Sequence, residues 1–263
     1  MARSAALVCL LVLAWDVHPR YRLIVAANRD EYHDRPAAAL APWTDASHLL
    51  AGRDLRAGGT WLGVDRRRRF GVLTNYREQP GAAPGAPSRG ALIPGYLLEA
   101  HSPADYLRAL APQADRYGGF NLLLADGDSL WYASNRTAPF ERRLAPGVYG
   151  LSNHRLDTPW PKLTRVRRAF EQWLAGATPD DAPAGLLALL DDRRPAGLCD
   201  YPSGSRERAL AAPFVEHPQF GTRCSTVLLL EADGALWMRE RAFDRQGRPA
   251  AERDYRLGAQ EWC

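Results

Sequence analysis

Residues 23–31 read Leu23-Ile-Val-Ala-Ala-Asn-Arg-Asp-Glu31, five apolar residues running without a break into four polar ones. A short continuous apolar run bounded by turn signals reads as a buried strand. Cys9 to Trp15 reads the same way, and the His18-Pro19 turn between the two runs pairs them as a hairpin. The second strand is expected over Leu23 to Ala27. Asn28 to Glu31 then form a polar cluster delivered to the place where the first strand begins at Cys9.

Further strands are expected at Gly59 to Asp65 and Phe70 to Thr74, joined by the turn Arg66 to Arg69. Asn121 to Ala125 and Ser129 to Ser134 flank Asp126-Gly127-Asp128, a strong hairpin signal. Val148 to Ser152 is another strand, and Thr226 to Glu231 with Ala235 to Arg241 make a hairpin around Ala232-Asp233-Gly234. Apolar residues recur at helical spacing in Leu92 to Glu99, Pro103 to Leu110, Lys162 to Ala175 and Ala184 to Leu190. Gln79 to Pro87 and Asp191 to Pro213 read as loops that do not divide the chain. Hairpins early, helices in the middle and a hairpin at the end predict a layered α+β fold, with strands stacked as sheets and helices outside.

With 263 residues and 46% hydrophobic content the chain can bury a sizeable core. The net charge of +4 rests almost wholly on arginine, since Lys162 is the single lysine among 34 basic residues. The run Arg66 to Arg69 has no interleaved aromatics and is expected to be a solvated turn, so no nucleic-acid partner is expected. Cys9, Cys199, Cys224 and Cys263 show neither a C-x-x-C pair nor histidines at zinc spacing, so no metal is expected. A reducing compartment and a cytoplasmic location follow from that cysteine usage. Met1 to Trp15 carries Arg3 and an apolar run but no small-residue cleavage site. No window reaches the ~18 continuous apolar residues of a membrane span, so a soluble chain without stable membrane insertion is expected. His18 and His154 are candidate haem-iron ligands, although a lone histidine is more often a surface or turn residue.

Nine short motifs occur in order: Cys9-Leu-Leu-Val-Leu-Ala-Trp15, Ala27-Asn-Arg-Asp-Glu31, Ala51-Gly-Arg-Asp-Leu55, Gly58-Gly-Thr-Trp-Leu-Gly63, Leu73-Thr-Asn-Tyr-Arg77, Gly119-Phe-Asn-Leu-Leu123, Gly150-Leu-Ser-Asn153, Asp157-Thr-Pro-Trp-Pro-Lys162 and Gly221-Thr-Arg-Cys-Ser-Thr226. Together they resemble the NRDE family, whose eukaryotic members are called transport and Golgi organization 2 homologues. The resemblance implies an N-terminal-nucleophile hydrolase-like fold, a four-layer αββα sandwich of two antiparallel sheets flanked by helices. It spans nearly the whole chain and implies one domain over 9–263, preceded by an extension over 1–8.

Cysteine enzymes of that fold begin their mature chain at the nucleophile, and the α-amine serves as base for the thiol. The free groups titrate near ~8 and ~8.5, so both are usable near neutral pH. By motif position Cys9 is the implied nucleophile and Asp30 the carboxylate that orients the amine. Asn75 stands at an oxyanion-donor position, a role worth ~3 kcal/mol, and Asn153 and Arg223 match further polar positions of the site. Asn28, Arg29, Glu31, Trp61 and Tyr76 are the implied substrate contacts.

The plainer readings are a packed Cys9 and Cys224, an Arg29–Asp30 structural ion pair, and turn roles for Asn75 and Asn153. The glycines of Gly58 to Gly63 read as a close backbone pass or a tight turn, since no Lys-Ser/Thr follows them to make a phosphate loop. Family members usually read Met-Cys at the start, whereas Met1 to Val8 precede Cys9 here. A GTG start codon read as Val8, or removal of the extension, would expose the cysteine amine.

Two functions are therefore expected. One is a cysteine hydrolase of a carbon–nitrogen amide or thioester bond acting through a Cys9 acyl-enzyme, with no cofactor required. The other is a non-catalytic protein that carries haem, acyl-CoA or lipid as a small-molecule ligand in the same cleft. Oligomeric state is not legible in the sequence.

Overall fold

The computed structural model describes residues 9–78, 83–176, 182–197 and 202–262. Strands β1 (Leu10–Trp15) and β2 (Tyr21–Tyr32) form the hairpin, with Leu11 opposite Ala27 and Trp15 opposite Leu23. β2 does not stop at Ala27. It continues for five residues because β11 (Phe220–Glu231) runs antiparallel beside it as far as Tyr32, which keeps those backbone groups paired. Side chains on a strand alternate between faces, and β2 uses this. Leu23, Val25 and Ala27 lie in the core between the sheets, whereas Ile24 and Ala26 pack under helices.

One six-stranded antiparallel sheet has the order β10-β1-β2-β11-β12-β13, where β10 is Gly147–Leu151, β12 Leu236–Phe243 and β13 Pro249–Leu257. The second, seven-stranded, runs β3-β4-β5-β6-β7-β8-β9 in chain order. Its strands are β3 (Ala37–Trp43), β4 (Ala46–Asp54), β5 (Leu62–Asp65), β6 (Phe70–Asn75), β7 (Phe120–Ala125), β8 (Leu130–Ser134) and β9 (Glu141–Leu144). Leu11, Leu13, Val25, Leu50, Val64, Val72, Leu123 and Leu228 fill the space between the sheets. Helices α3 (Pro161–Gly176) and α4 (Ala182–Leu190) cover the outer face of the six-stranded sheet through Leu163, Val166, Phe170 and Leu186. α1 (Leu92–Leu97) and α2 (Pro103–Leu110) cover the other through Ile93, Tyr96 and Leu107. The expected four-layer α+β sandwich is therefore the fold observed. A short α5 (Arg206–Leu210) lies in the segment expected to be an irregular connection.

The turn at Arg66 to Arg69 is not the solvated one expected. Arg69 is buried, ion-paired with Asp65 at 2.7 Å, and donates to the carbonyls of Tyr96, Leu97 and His101. It thereby satisfies carbonyl groups at the end of α1 that no helical N–H can reach. Arg68, with a left-handed φ of 61°, donates to the carbonyls of Gly234, Gly258 and Glu261. One turn thus fastens a helix on one side and the opposite sheet on the other.

Gly58 has φ +76°, and an added Cβ on Gly59 would lie 2.3 Å from the Gly90 carbonyl. The close backbone pass brings the 3-10 turn Arg89–Ala91 against the segment that leads through Trp61 into β5. Gly59→Ala is expected to cost about 1–3 kcal/mol, read as a fall in the urea midpoint. An unchanged midpoint would mean that the 3-10 turn shifts at no cost.

Candidate functional site

The alternation of β2 splits its polar end between two faces. Arg29 continues the Val25–Ala27 face toward the other sheet, and its guanidinium lies 4.1 Å from the centroid of the Trp61 ring. Glu31 follows on that face, 3.9 Å from Arg29 and 3.7 Å from Arg35. Asn28 and Asp30 continue the Ile24–Ala26 face toward the helices. Asn28 lines the cavity at Cys9, and its amide donates to the carbonyls of Leu190 and Pro213 while its oxygen accepts from Ser225. These bonds fix the chain after α4 to the sheet. Arg29 and Asp30 do not form the ion pair considered above, since they point to opposite faces.

Cys9 stands just before β1, one residue outside the pair Leu10–Asn28. It lines a cavity of ≈ 10 Å³ with Leu11, Ala27, Arg29, Trp61, Thr74 and Thr226, room for roughly one water molecule. Burial pushes its thiol up to about 12, helped by the Asp30 carboxylate and opposed by the Asp30 backbone hydrogen bond and by Arg29. A thiol so placed is almost wholly protonated at neutral pH. Cys224, two strands away, is buried against Glu240, and burial also holds its thiol well above the ordinary range.

Asp30 is 1% exposed. Its Oδ1 accepts from Thr222 Oγ1 at 2.7 Å, while Oδ2 has no hydrogen-bond partner. Thr222 reaches it because β11 carries a bulge at Arg223: Cys224 pairs with Arg29, and Thr222 with Asp30. Such bulges re-aim side chains, and here the extra residue turns Thr222 to the helix-facing side. Burial raises the Asp30 carboxyl to about 7 against the opposing pull of the Lys162 ammonium, the Thr222 hydroxyl and Arg29. Lys162, in the first turn of α3, is 6% exposed. Its ammonium is drawn down by burial and held up by Asp30 and Cys9.

Of the other expected residues, Asn75 ends β6 beside the cavity-lining Thr74, and its side-chain amide has no partner among the described residues. Asn153, at a left-handed φ of 53°, donates to the Asn75 carbonyl at 2.8 Å and so fixes that strand end. Arg223 donates to the Tyr32 and His33 carbonyls rather than toward the thiol. Tyr76 packs against His154 with ring centroids 5.0 Å apart. His154 contacts Thr158, and the His18 ring accepts from the backbone of Arg20 and Tyr21, a turn role. The structure therefore brings Cys9, Asn28, Arg29, Trp61 and the end of β6 around one cavity, sets Asp30 on the helix-facing side of the same strand end, and turns Arg223 to the Tyr32 and His33 carbonyls.

Two contributors escaped the sequence reading. Lys162 stood out as the single lysine and as the last residue of one motif, with no role attached to it. Asn121, fully buried, donates to Thr74 Oγ1 and accepts from Tyr132, backing the cavity wall. Cys199, Cys263, the extension Met1 to Val8 and residues 79–82 of the expected loop lie outside the described residues. Among the described residues no group of three or more His, Cys, Asp or Glu is placed to hold a metal ion. No helix among them is long and apolar enough to cross a membrane.

The bovine Transport and Golgi organization protein 2 homolog is 37% identical over 258 residues, covering 89% of this chain and 93% of its own. The human homolog is 35% identical over the same shares. Transport and Golgi organization protein 2 of Drosophila melanogaster is 26% identical over 87% of this chain and 89% of its own. Among solved structures, penicillin V acylase from Agrobacterium tumefaciens overlaps with a TM-score of 0.47 at 10% identity, covering 96% of this chain and 92% of that one. Neither figure transfers a chemistry to this chain. The sequence model of the family described as Transport and Golgi organisation 2 matches residues 8–245. With nine-tenths of its length aligned to relatives that share more than a third of their residues, this chain belongs to the Transport and Golgi organisation 2 family.

Proposed function

We propose that this chain is a cysteine hydrolase of a carbon–nitrogen amide or thioester bond, with Cys9 as the nucleophile once it is the first residue. The observation that carries the reading is the unpartnered Oδ2 of a fully buried Asp30 next to the thiol end of β1. A buried carboxylate oxygen without a donor costs free energy, and the α-ammonium of a freed Cys9 is the donor that would satisfy it. The proton that makes the Cys9 amine an ammonium is the one taken from the thiol, and the resulting thiolate attacks the carbonyl carbon. The amine or thiol leaving group takes the proton as its bond to the acyl carbon breaks. Water, deprotonated by the same amine, cleaves the acyl-enzyme. The unpartnered Asn75 amide supports an oxyanion role.

Incubation with an amide or thioester probe is expected to add one acyl mass to the Cys9 peptide and none in Cys9→Ser. Turnover without that adduct in either chain would overturn the reading.

The carrier reading has one observation of its own. A groove of ≈ 620 Å³ lies at the far end of the six-stranded sheet, lined by Arg20, Tyr21, Trp237, Arg256 and Leu257. That volume suits a drug-sized ligand, whereas the cavity at Cys9 has no room for haem or acyl-CoA. Binding of haem or acyl-CoA that survives Cys9→Ala and falls with Trp237→Ala supports the carrier.

A further inference from the structure

We propose that Lys162 is a positioning residue of the Cys9 site, the buried counter-ion that keeps the Asp30 carboxylate charged so that it can hold the cysteine amine. This rests on the hydrolase reading for its purpose but not for its physics.

The geometry breaks two rules at once. Lysine is almost never fully buried unless paired, yet Lys162 is 6% exposed. A cation is also disfavoured in the first turn of a helix, where the macrodipole is positive, and Lys162 is the second residue of α3. Its ammonium has three N–H donors, and among the described residues it makes one hydrogen bond, to the Ala212 carbonyl at 3.4 Å. On the neighbouring β2, facing the same helical layer, is Asp30 with one oxygen satisfied by Thr222 and the other unpartnered.

An unfilled anion and an under-filled cation therefore share one buried space without closing into a contact pair. Cys9 acts electrostatically on both, and on this reading its nitrogen lies between them. A chain of 34 basic residues that uses arginine everywhere else has a lysine here, and the ammonium is the more compact of the two cations for a buried space.

The groups acting on the pair come from four elements. Asp30 feels Lys162 from α3, Thr222 from β11, and Arg29 and Glu31 from β2. Lys162 feels Asp30, Cys9 and Arg77, the last from the segment after β6. The exchange of charge is between Asp30 and Lys162. Without Lys162, Asp30 loses the strongest charge opposing its burial and stays protonated to higher pH. A neutral carboxyl cannot pair with the α-ammonium.

The single lysine makes this measurable in the full 263-residue chain, because labelling with 13Cε-lysine gives one lysine resonance. Its titration midpoint is expected well below the ordinary ~10.4 and to fall by a further unit or so in Asp30→Asn, which removes the opposite charge. A midpoint at the ordinary value, or one that Asp30→Asn leaves in place, overturns the proposal.

The functional arm is the pH profile of Cys9 acylation by a thioester probe in a chain starting at Cys9. Lys162→Met is expected to move its acid limb up by about a unit or more, and Lys162→Arg to restore the charge and most of the profile. An acid limb unmoved in Lys162→Met overturns the positioning role even if the lysine resonance responds. If no variant acylates while the resonance still follows Asp30, the hydrolase reading fails and the pairing of Lys162 with Asp30 stands.

Discussion

Arg69→Ala is expected to lower the unfolding free energy by about 3–5 kcal/mol. The substitution leaves Asp65, 1% exposed, without its ion-pair partner, and strips the α1 carbonyls of Tyr96 and Leu97 of their donor. Two backbone N–H bonds to Asp65 survive, from Arg67 and Arg69, so the turn keeps its shape and the loss is electrostatic. Replacing Asp65 and Arg69 together by apolar residues should recover much of it, because removing both charges also removes the desolvation cost of the survivor. Urea unfolding of the single and double variants checks this. A loss under ~1 kcal/mol in Arg69→Ala would show that the charge is solvated in solution.

The second large effect concerns the thiol. With its titration near 12, Cys9 carries roughly 10⁻⁴ thiolate at pH 8, against about a quarter for an ordinary cysteine. Each such thiolate is more nucleophilic by a factor of roughly 40, since nucleophilicity rises with basicity. The net expectation for the 263-residue chain is iodoacetamide labelling of Cys9 about 50-fold slower than a free cysteine at pH 8, with the rate climbing tenfold per pH unit to pH 11. A chain beginning at Cys9 should label at least tenfold faster at pH 8, because its α-amine gives the thiol a base and shields it from Asp30. Peptide mapping separates Cys9 from the other three cysteines. Equal rates in the two chains would mean that the amine does nothing for the sulfur.

How far the sequence could be read depended on where burial comes from. β1, β6, β7 and β8 carry continuous apolar runs because both faces of their sheet are covered, one by the other sheet and one by helices. β3, β9 and β13 were not expected. They are edge strands, with Pro42 in β3, Glu141-Arg-Arg143 in β9 and Glu252-Arg-Asp254 in β13. Edges are kept from pairing with other chains by that kind of charge and proline, and the same residues erase the strand signal. β4 was missed because Ala46–Asp54 offers no β-branched residue.

In the site, the motifs drew attention to Cys9, Asp30 and Asn75, but the division of Asn28 to Glu31 between two faces needs β2 to continue, and that is decided by β11, almost two hundred residues later. Thr222 would face away from Asp30 in a regular ladder, so its role depends on a bulge that no local pattern announces. Lys162 was visible as the odd residue of an arginine-rich chain. Its burial was not, since helical periodicity places it at the start of α3 and says nothing of what lies beneath.

The three carbonyls held by Arg68 have a mechanical consequence. Gly234, Gly258 and Glu261 belong to the end of the six-stranded sheet farthest from Cys9, and Arg68 belongs to the other sheet, so the sandwich is bound along that side like the spine of a book. Toward the thiol the sheets are joined by the Leu40 amide on Glu240, by the Arg29 guanidinium resting on Trp61, and by Asn153, whose side chain donates to the Asn75 carbonyl and whose own carbonyl accepts from the Arg77 amide. Of the residues that line the cavity, Cys9 and Trp61 alone are partly exposed, so a substrate that reaches the thiol does so past the Trp61 ring.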